Sequence, residues 1–145
     1  MQFAFNHDDG LRPNELHKAE IILVGVSRTF KTPLSIYLAY RGWFVANVSI
    51  VKGINLPEEL FNVDPTKVFG LTTSPARLSV LRQVREEHLG MQRGDYASIK
   101  HVREELWYAQ RIYDEQKKWA VIKVTGKPIE EIAAEIITLR KPKSN

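Results

Sequence analysis

The run Ile21-Ile22-Leu23-Val24 is unbroken and apolar with β-branched character, the pattern of a strand buried on both faces of a parallel sheet. Beyond a short loop, Leu34, Tyr37, Leu38 and Arg41 recur at helical spacing and predict a helix over 32–41. Pro33 is tolerated in its first turn and Gly42 supplies its stop. Residues 44–51 read as a second strand, 57–61 as a short helix and 68–72 as a third strand. Leu78, Leu81, Arg82 and Arg85 mark a helix over 75–88, and Ile99, Val102, Leu106, Ala109 and Ile112 form one face of a longer helix over 98–118. A strand over 119–124 and a helix over 128–139 close the pattern. Such alternation predicts an α/β fold, a P-loop-like three-layer sandwich around a mainly parallel sheet. The first twenty residues are polar and turn-rich, with His7-Asp8-Asp9-Gly10 and Pro13, and lack a period. They are expected to be a connector, with 21–140 forming the domain and 141–145 a basic tail.

Composition narrows the chemistry. The 145 residues are 43% hydrophobic and 26% charged, as in soluble globular domains. There is no cysteine, which excludes disulfides and thiolate metal sites and fits a reducing cytoplasm. His7, His17, His88 and His101 show no HxxxH or HExxH pairing, so no histidine-built metal site is expected. No apolar run reaches the roughly 18 residues of a membrane span. The formal charge of +4 is scattered among carboxylates except near Arg140-Lys141-Pro142-Lys143, so no nucleic-acid partner and no membrane association are expected.

The chemically informative segment lies between the first strand and the first long helix. Gly25-Val26-Ser27-Arg28-Thr29-Phe30-Lys31-Thr32 has the P-loop order of a glycine, four residues, then Lys-Thr, with Phe30 where the second glycine normally stands. The context is that of a phosphate site, because the loop leaves a buried strand and enters a helix. Gly25 lets the backbone turn, successive N–H groups and the helix dipole face phosphate oxygens, Lys31 rides on the terminal phosphate, and Thr32 offers a hydroxyl to Mg2+. The alternative is an ordinary loop in which Ser27 or Thr29 caps a helix.

The run from Gly25 to Gly42, together with His7-Asp8-Asp9-Gly10, Val45-Ala46-Asn47, Pro57-Glu58-Glu59-Leu60-Phe61, Gly70-Leu71-Thr72, Val102-Arg103-Glu104-Glu105-Leu106 and Val124-Thr125, resembles the pyruvate, phosphate dikinase regulatory protein family, whose relatives act on phosphoenolpyruvate synthase. Two positions depart from the family: Phe30 stands where serine is usual and Ser49 where proline is common. The resemblance implies a bifunctional regulator that uses ADP to phosphorylate a threonine of the dikinase and inorganic phosphate to remove that group as pyrophosphate. Its partner would be pyruvate, phosphate dikinase or phosphoenolpyruvate synthase, its cofactors ADP, phosphate and Mg2+, and its compartment the cytoplasm; a homo-oligomer is left open. Family chains are about twice as long, so the resemblance implies a C-terminal half or a truncated copy. A nucleotide-binding fragment without catalysis and a small-molecule P-loop kinase are the competing readings.

Asp8 and Asp9 are candidate general bases or outer magnesium ligands, with an Asp-Asp-Gly turn as the alternative. No aspartate ends a four-residue apolar run, so no Walker-B acid is identified, and Asp64-Pro65 reads as a turn. Arg28 is placed to bridge phosphate oxygens. Arg77, Arg82 and Arg85, on one helix, are expected as solvated charges, with a place facing the site as the alternative; Arg103, Glu104 and Glu105 are expected as a salt-bridged surface, and Trp43, Trp107 and Trp119 at the core or its edge, with base stacking as the alternative.

Overall fold

The computed structural model describes residues 2–10, 12–88 and 99–140. The expected basic tail 141–145, and Ser98 at the expected start of the longest helix, lie outside the described residues. Four strands, β1 (Ile21–Gly25), β2 (Val45–Ser49), β3 (Val68–Thr72) and β4 (Ala120–Lys123), form one sheet in the order β2-β1-β3-β4. Every pairing is parallel, with Val24 opposite Val48 and Gly70, and Gly70 opposite Val121. All five residues of β1 are buried, as the unbroken apolar run requires. β2 is shorter than the expected 44–51 because its register with β1 ends at Gly25 opposite Ser49.

Helices cover both faces. Ile21 and Leu23 of β1, with Phe69 and Leu71 of β3, pack against Leu34 and Leu38 of α2 (Lys31–Tyr40) and Ile132, Ala133 and Ile136 of α5 (Ile129–Arg140). On the other face Ile22, Val24, Ala46 and Val68 meet Leu78 of α3 (Pro75–His88) and Val102, Ala109 and Tyr113 of α4 (Ile99–Glu115). The chain moves outward from β1 to β2 and then back across to β3 and β4. Crossovers of a single hand therefore change faces at β1, which makes the gap between β1 and β3 the topological switch point where α/β sheets bind ligands.

Residues 1–20, read as a connector, carry regular structure. The helix α1 (Gln2–Asn6) and the 3-10 turn at Asp8–Gly10 dock on the outer edge of β2, where the His7 carbonyl accepts the Asn47 N–H at 3.2 Å, and the 3-10 turn at Pro13–Lys18 packs against residues 58–61. The His7 ring is 3% exposed, stacks on Phe3 and meets Glu15 at 2.9 Å. Residues 57–61 make only a 3-10 turn, Glu58–Phe61. Two positions on α4 depart from expectation: Ile99 is exposed, and Trp107 lies at the surface beneath the Arg111 guanidinium rather than in the core. Trp119 is buried.

One close joint ties β3 to α4. The Tyr113 ring lies flat against Gly70, and its hydroxyl hydrogen is shared between the Val24 carbonyl at 3.1 Å and the Leu71 carbonyl at 2.9 Å. Burial pushes the phenol pKa well above its usual value. A Cβ on Gly70 would sit 2.6 Å from the Tyr113 ring. Gly70→Ala should therefore destabilise the fold by about 1–3 kcal/mol through overpacking, and Gly70→Ala with Tyr113→Leu should regain part of it. Urea melts of the two variants check this; a Gly70→Ala variant as stable as the parent would show that the joint has slack.

Candidate functional site

β1 delivers the chain to the switch point at Gly25. Its φ is not in the left-handed region, so glycine is needed here for space: a Cβ would lie 2.8 Å from Thr29 Oγ1 and 3.3 Å from the Leu71 carbonyl. Without that Cβ the loop folds back on itself. The Val26 carbonyl accepts both the Thr29 hydroxyl at 2.7 Å and the Lys31 ammonium at 2.9 Å. Arg28 (φ 68) and Phe30 (φ 65) both take left-handed backbone and bracket Thr29. Such alternation of handedness makes a concavity of backbone N–H groups that suits an anion. Neither is glycine, and each costs roughly 1–2 kcal/mol that the surrounding contacts must offset. Phe30 packs its ring onto the α2–α5 core. No side chain caps the start of α2, so that none of its first N–H groups is taken by the Phe30 side chain.

Lys31 is 6% exposed, and burial lowers its pKa to about 8; Asp9 opposes the shift, Arg82 adds to it and Asp8 opposes it. The next residue, Thr32, is exposed, and its hydroxyl donates to Asp8 Oδ1 at 2.9 Å. That same oxygen accepts the Asn47 side-chain amide at 2.7 Å, while Asn47 Oδ1 accepts the Asp9 N–H at 2.9 Å. Asn47 also reaches Ser35 Oγ at 3.2 Å, and the Ser49 hydroxyl donates to Asp9 Oδ1. Both aspartates are thus carried to the loop by the docked N-terminal segment and held there by β2. Asp9 itself has left-handed backbone, φ 50.

The structure brings together Asp8, Asp9, Lys31, Thr32 and the loop residues from Gly25 to Phe30. At the end of β3, where a P-loop protein usually places its acid, stand Thr72 and Thr73 instead. Asp64 caps a turn, accepting the Thr66 N–H at 3.0 Å. A carboxylate bonded to the loop threonine is nonetheless present, because Asp8 arrives from upstream. Among the described residues no group of three or more His, Cys, Asp or Glu side chains surrounds a metal position. The hydroxyl of Thr32 with one or two carboxylates would suit Mg2+, a hard cation that takes oxygen ligands.

Sequence reasoning missed Asn47 and Ser35 and favoured solvent over the site for Arg82. A buried asparagine within the apolar stretch Val45-Ala46-Asn47-Val48 is the signal that pointed to the first. Arg82, expected in solvent, is wholly buried; its guanidinium reaches Ser27 Oγ at 3.0 Å and the Glu105 carboxylate at 2.6 Å. Glu105 is accordingly not part of a solvated surface, whereas Glu104 pairs with Lys52 near solvent. Arg77 is exposed as expected, and the Arg85 side chain lies outside the described residues. No described helix is long and apolar enough to cross a membrane.

The chain is similar to known proteins along most of its length. The family model described as kinase/pyrophosphorylase matches residues 1–137. The chain is 50% identical over 139 residues to the "Pyruvate, phosphate dikinase regulatory protein, chloroplastic" of Zea mays, an alignment covering 94% of this chain and 33% of the maize protein. It is 48% identical over 142 residues to the "Pyruvate, phosphate dikinase regulatory protein 1, chloroplastic" of Arabidopsis thaliana, covering 96% of this chain and 35% of that one. A relative from Geobacter metallireducens is 51% identical over 138 residues, which are 94% of this chain and 51% of its own. The chain spans about half or less of the length of the curated relatives it matches.

The lowered pKa of Lys31 gives the site a pH signature. A lysine that titrates near 8 loses its charge as pH rises through that value, so anion affinity carried by its ammonium should fall between pH 7 and 9.5. Lys31→Arg, charged throughout that range, should flatten the profile. Calorimetric titration with ADP in the absence of divalent cations measures both; a parent profile that is already flat would remove Lys31 from the anion site.

Proposed function

The chain belongs to the kinase/pyrophosphorylase family, and from that premise we propose that its β1–α2 loop holds the adjacent phosphates of ADP in a regulator that reversibly phosphorylates a threonine of pyruvate, phosphate dikinase. The observation that carries the reading is the convergence of a phosphate-type loop, a buried Lys31, and Thr32 bonded to Asp8 at one switch point. The relatives' names favour the dikinase over phosphoenolpyruvate synthase as the target.

In this reading Lys31 and the loop amides neutralise the two phosphates, and Thr32 with Asp8 would hold Mg2+. When bound, that ion offsets charge developing on the transferred group. The target threonine hydroxyl attacks the β-phosphorus of ADP: an O–P bond forms, the bond to the α-phosphate oxygen breaks and AMP leaves. Asp9, exposed and fixed by Asn47 and Ser49, is placed to take the hydroxyl proton. In the opposite operation inorganic phosphate attacks the phosphothreonine, pyrophosphate departs and the threonine oxygen regains a proton. Both operations need one cradle for two neighbouring phosphoryl groups, so a single loop serves them. A second reading, nucleotide binding without efficient transfer, is favoured by the end of β3, where Thr72 and Thr73 stand in place of an acid. A protein substrate is commonly positioned by roughly 800 Å² on each partner, and misplacement costs about a hundredfold in rate.

The test is transfer of label from β-labelled ADP to a threonine of phosphohistidine-charged dikinase, followed by release of pyrophosphate on adding inorganic phosphate. Lys31→Ala should weaken ADP binding by about 1.5–3 kcal/mol, and an unchanged affinity would remove the phosphate-loop reading. Thr32→Val should reduce turnover more than ADP affinity. ADP binding with no transfer by these 145 residues, beside transfer by a full-length relative, selects the second reading.

A further inference from the structure

The largest of the wholly buried side chains is a cation, Arg82 on α3. Taking a guanidinium out of water is expensive unless its partners are well placed. Among the described residues, partners lie on two other elements. On one side it meets the Glu105 carboxylate of α4 at 2.6 Å, and the other Glu105 oxygen is 3.1 Å from His101. On the other side its Nη2 donates to Ser27, to the hydroxyl at 3.0 Å and to the backbone carbonyl at 3.3 Å. The fork therefore spans from a helix carboxylate to the centre of the β1–α2 loop.

That second contact acts on backbone direction. A trans peptide is planar, so holding the Ser27 carbonyl also fixes where the Arg28 N–H points. The Val26 carbonyl, one peptide earlier, is held by Thr29 and Lys31. Together the two clamps set consecutive peptide planes across the part of the loop that faces the anion. Arg82 also stands close enough to Lys31 for their charges to be felt by each other, a pairing of cations that a bound diphosphate would relieve.

Resting on the reading that the loop binds phosphates, we propose that Arg82 is a positioning residue of this site: anchored by Glu105, it fixes the Ser27–Arg28 peptide and supplies a second positive charge beside Lys31 for the phosphates of a nucleoside diphosphate. Neither the family match nor the relatives' names assign it a role.

The decisive variant is Arg82→Met with Glu105→Leu, which removes the pair together, so that neither member is left buried without the other. It should melt as a folded protein yet bind ADP at least tenfold more weakly in calorimetry. Arg82→Lys keeps the charge but cannot reach Glu105 and both Ser27 oxygens, so it should recover part of that affinity. Ser27→Ala combined with Arg82→Lys should cost less than the sum of the two single changes, because both act on one contact. The 31P resonance of the β-phosphate of bound ADP should move in the Arg82 variants, as a merely structural arginine would not require. A folded double variant that binds ADP within twofold of the parent, with the same 31P shift, overturns the proposal. If the double variant does not fold, Arg82→Lys decides: parental affinity and 31P shift together overturn it. Lys31→Ala separates the two levels: if it too binds ADP as the parent does, the phosphate reading itself has failed, whereas loss in Lys31→Ala alone removes only the role of Arg82.

Discussion

An ammonium group buried at the end of a parallel sheet has to be compensated, and much of the local architecture around the β1–α2 loop follows from that requirement. Lys31 is drawn under the loop, where the Val26 carbonyl accepts its hydrogen bond and Asp8 and Asp9 offset its charge. Those contacts in turn need Gly25, whose missing Cβ leaves room for Thr29 to close the turn. They also make the left-handed backbone of Arg28 and Phe30 tolerable, because the loop is over-determined by bonds from both of its ends.

The carboxylates that balance this cation do not come from the sheet. β3 ends in threonine, so the negative charge is imported by the segment before β1 and locked to β2 through Asn47. One asparagine satisfies its amide and carbonyl groups on Asp8, Asp9 and Ser35, which makes the docking of α1 and the following turn part of the site. The His7 ring, packed on Phe3 and bonded to Glu15, holds the same segment from its other side.

The two helical layers serve the loop differently. α2 begins in it and shares a core with α5, while α3 and α4 reach it from the opposite face through Arg82 and Glu105. Tyr113 stitches that second layer to the carbonyls of β1 and β3 directly beneath the switch point. A site for adjacent phosphates placed here is gripped from both faces of the sheet, an arrangement that resists reorganisation when charge moves.

Periodicity and backbone preference were enough to read the strands, the order of helices, the parallel sandwich and the loop from Gly25 to Thr32, because each depends on residues within a few positions of one another. The same local reading took residues 1–20 for a connector and Arg82 for a solvated charge. Nothing within a turn of Asp8 or Arg82 reveals these partners: Asp8 meets Thr32 across 24 positions and Arg82 meets Ser27 across 55. The glycine at 25 was legible as a glycine of a phosphate loop, but not as a matter of space, since the atoms that crowd it belong partly to β3. The sequence alone determined where a loop of phosphate-loop pattern stands between strand and helix. Only the tertiary structure decided which carboxylates and which buried guanidinium surround it, because burial and charge compensation are properties of neighbours in space rather than along the chain.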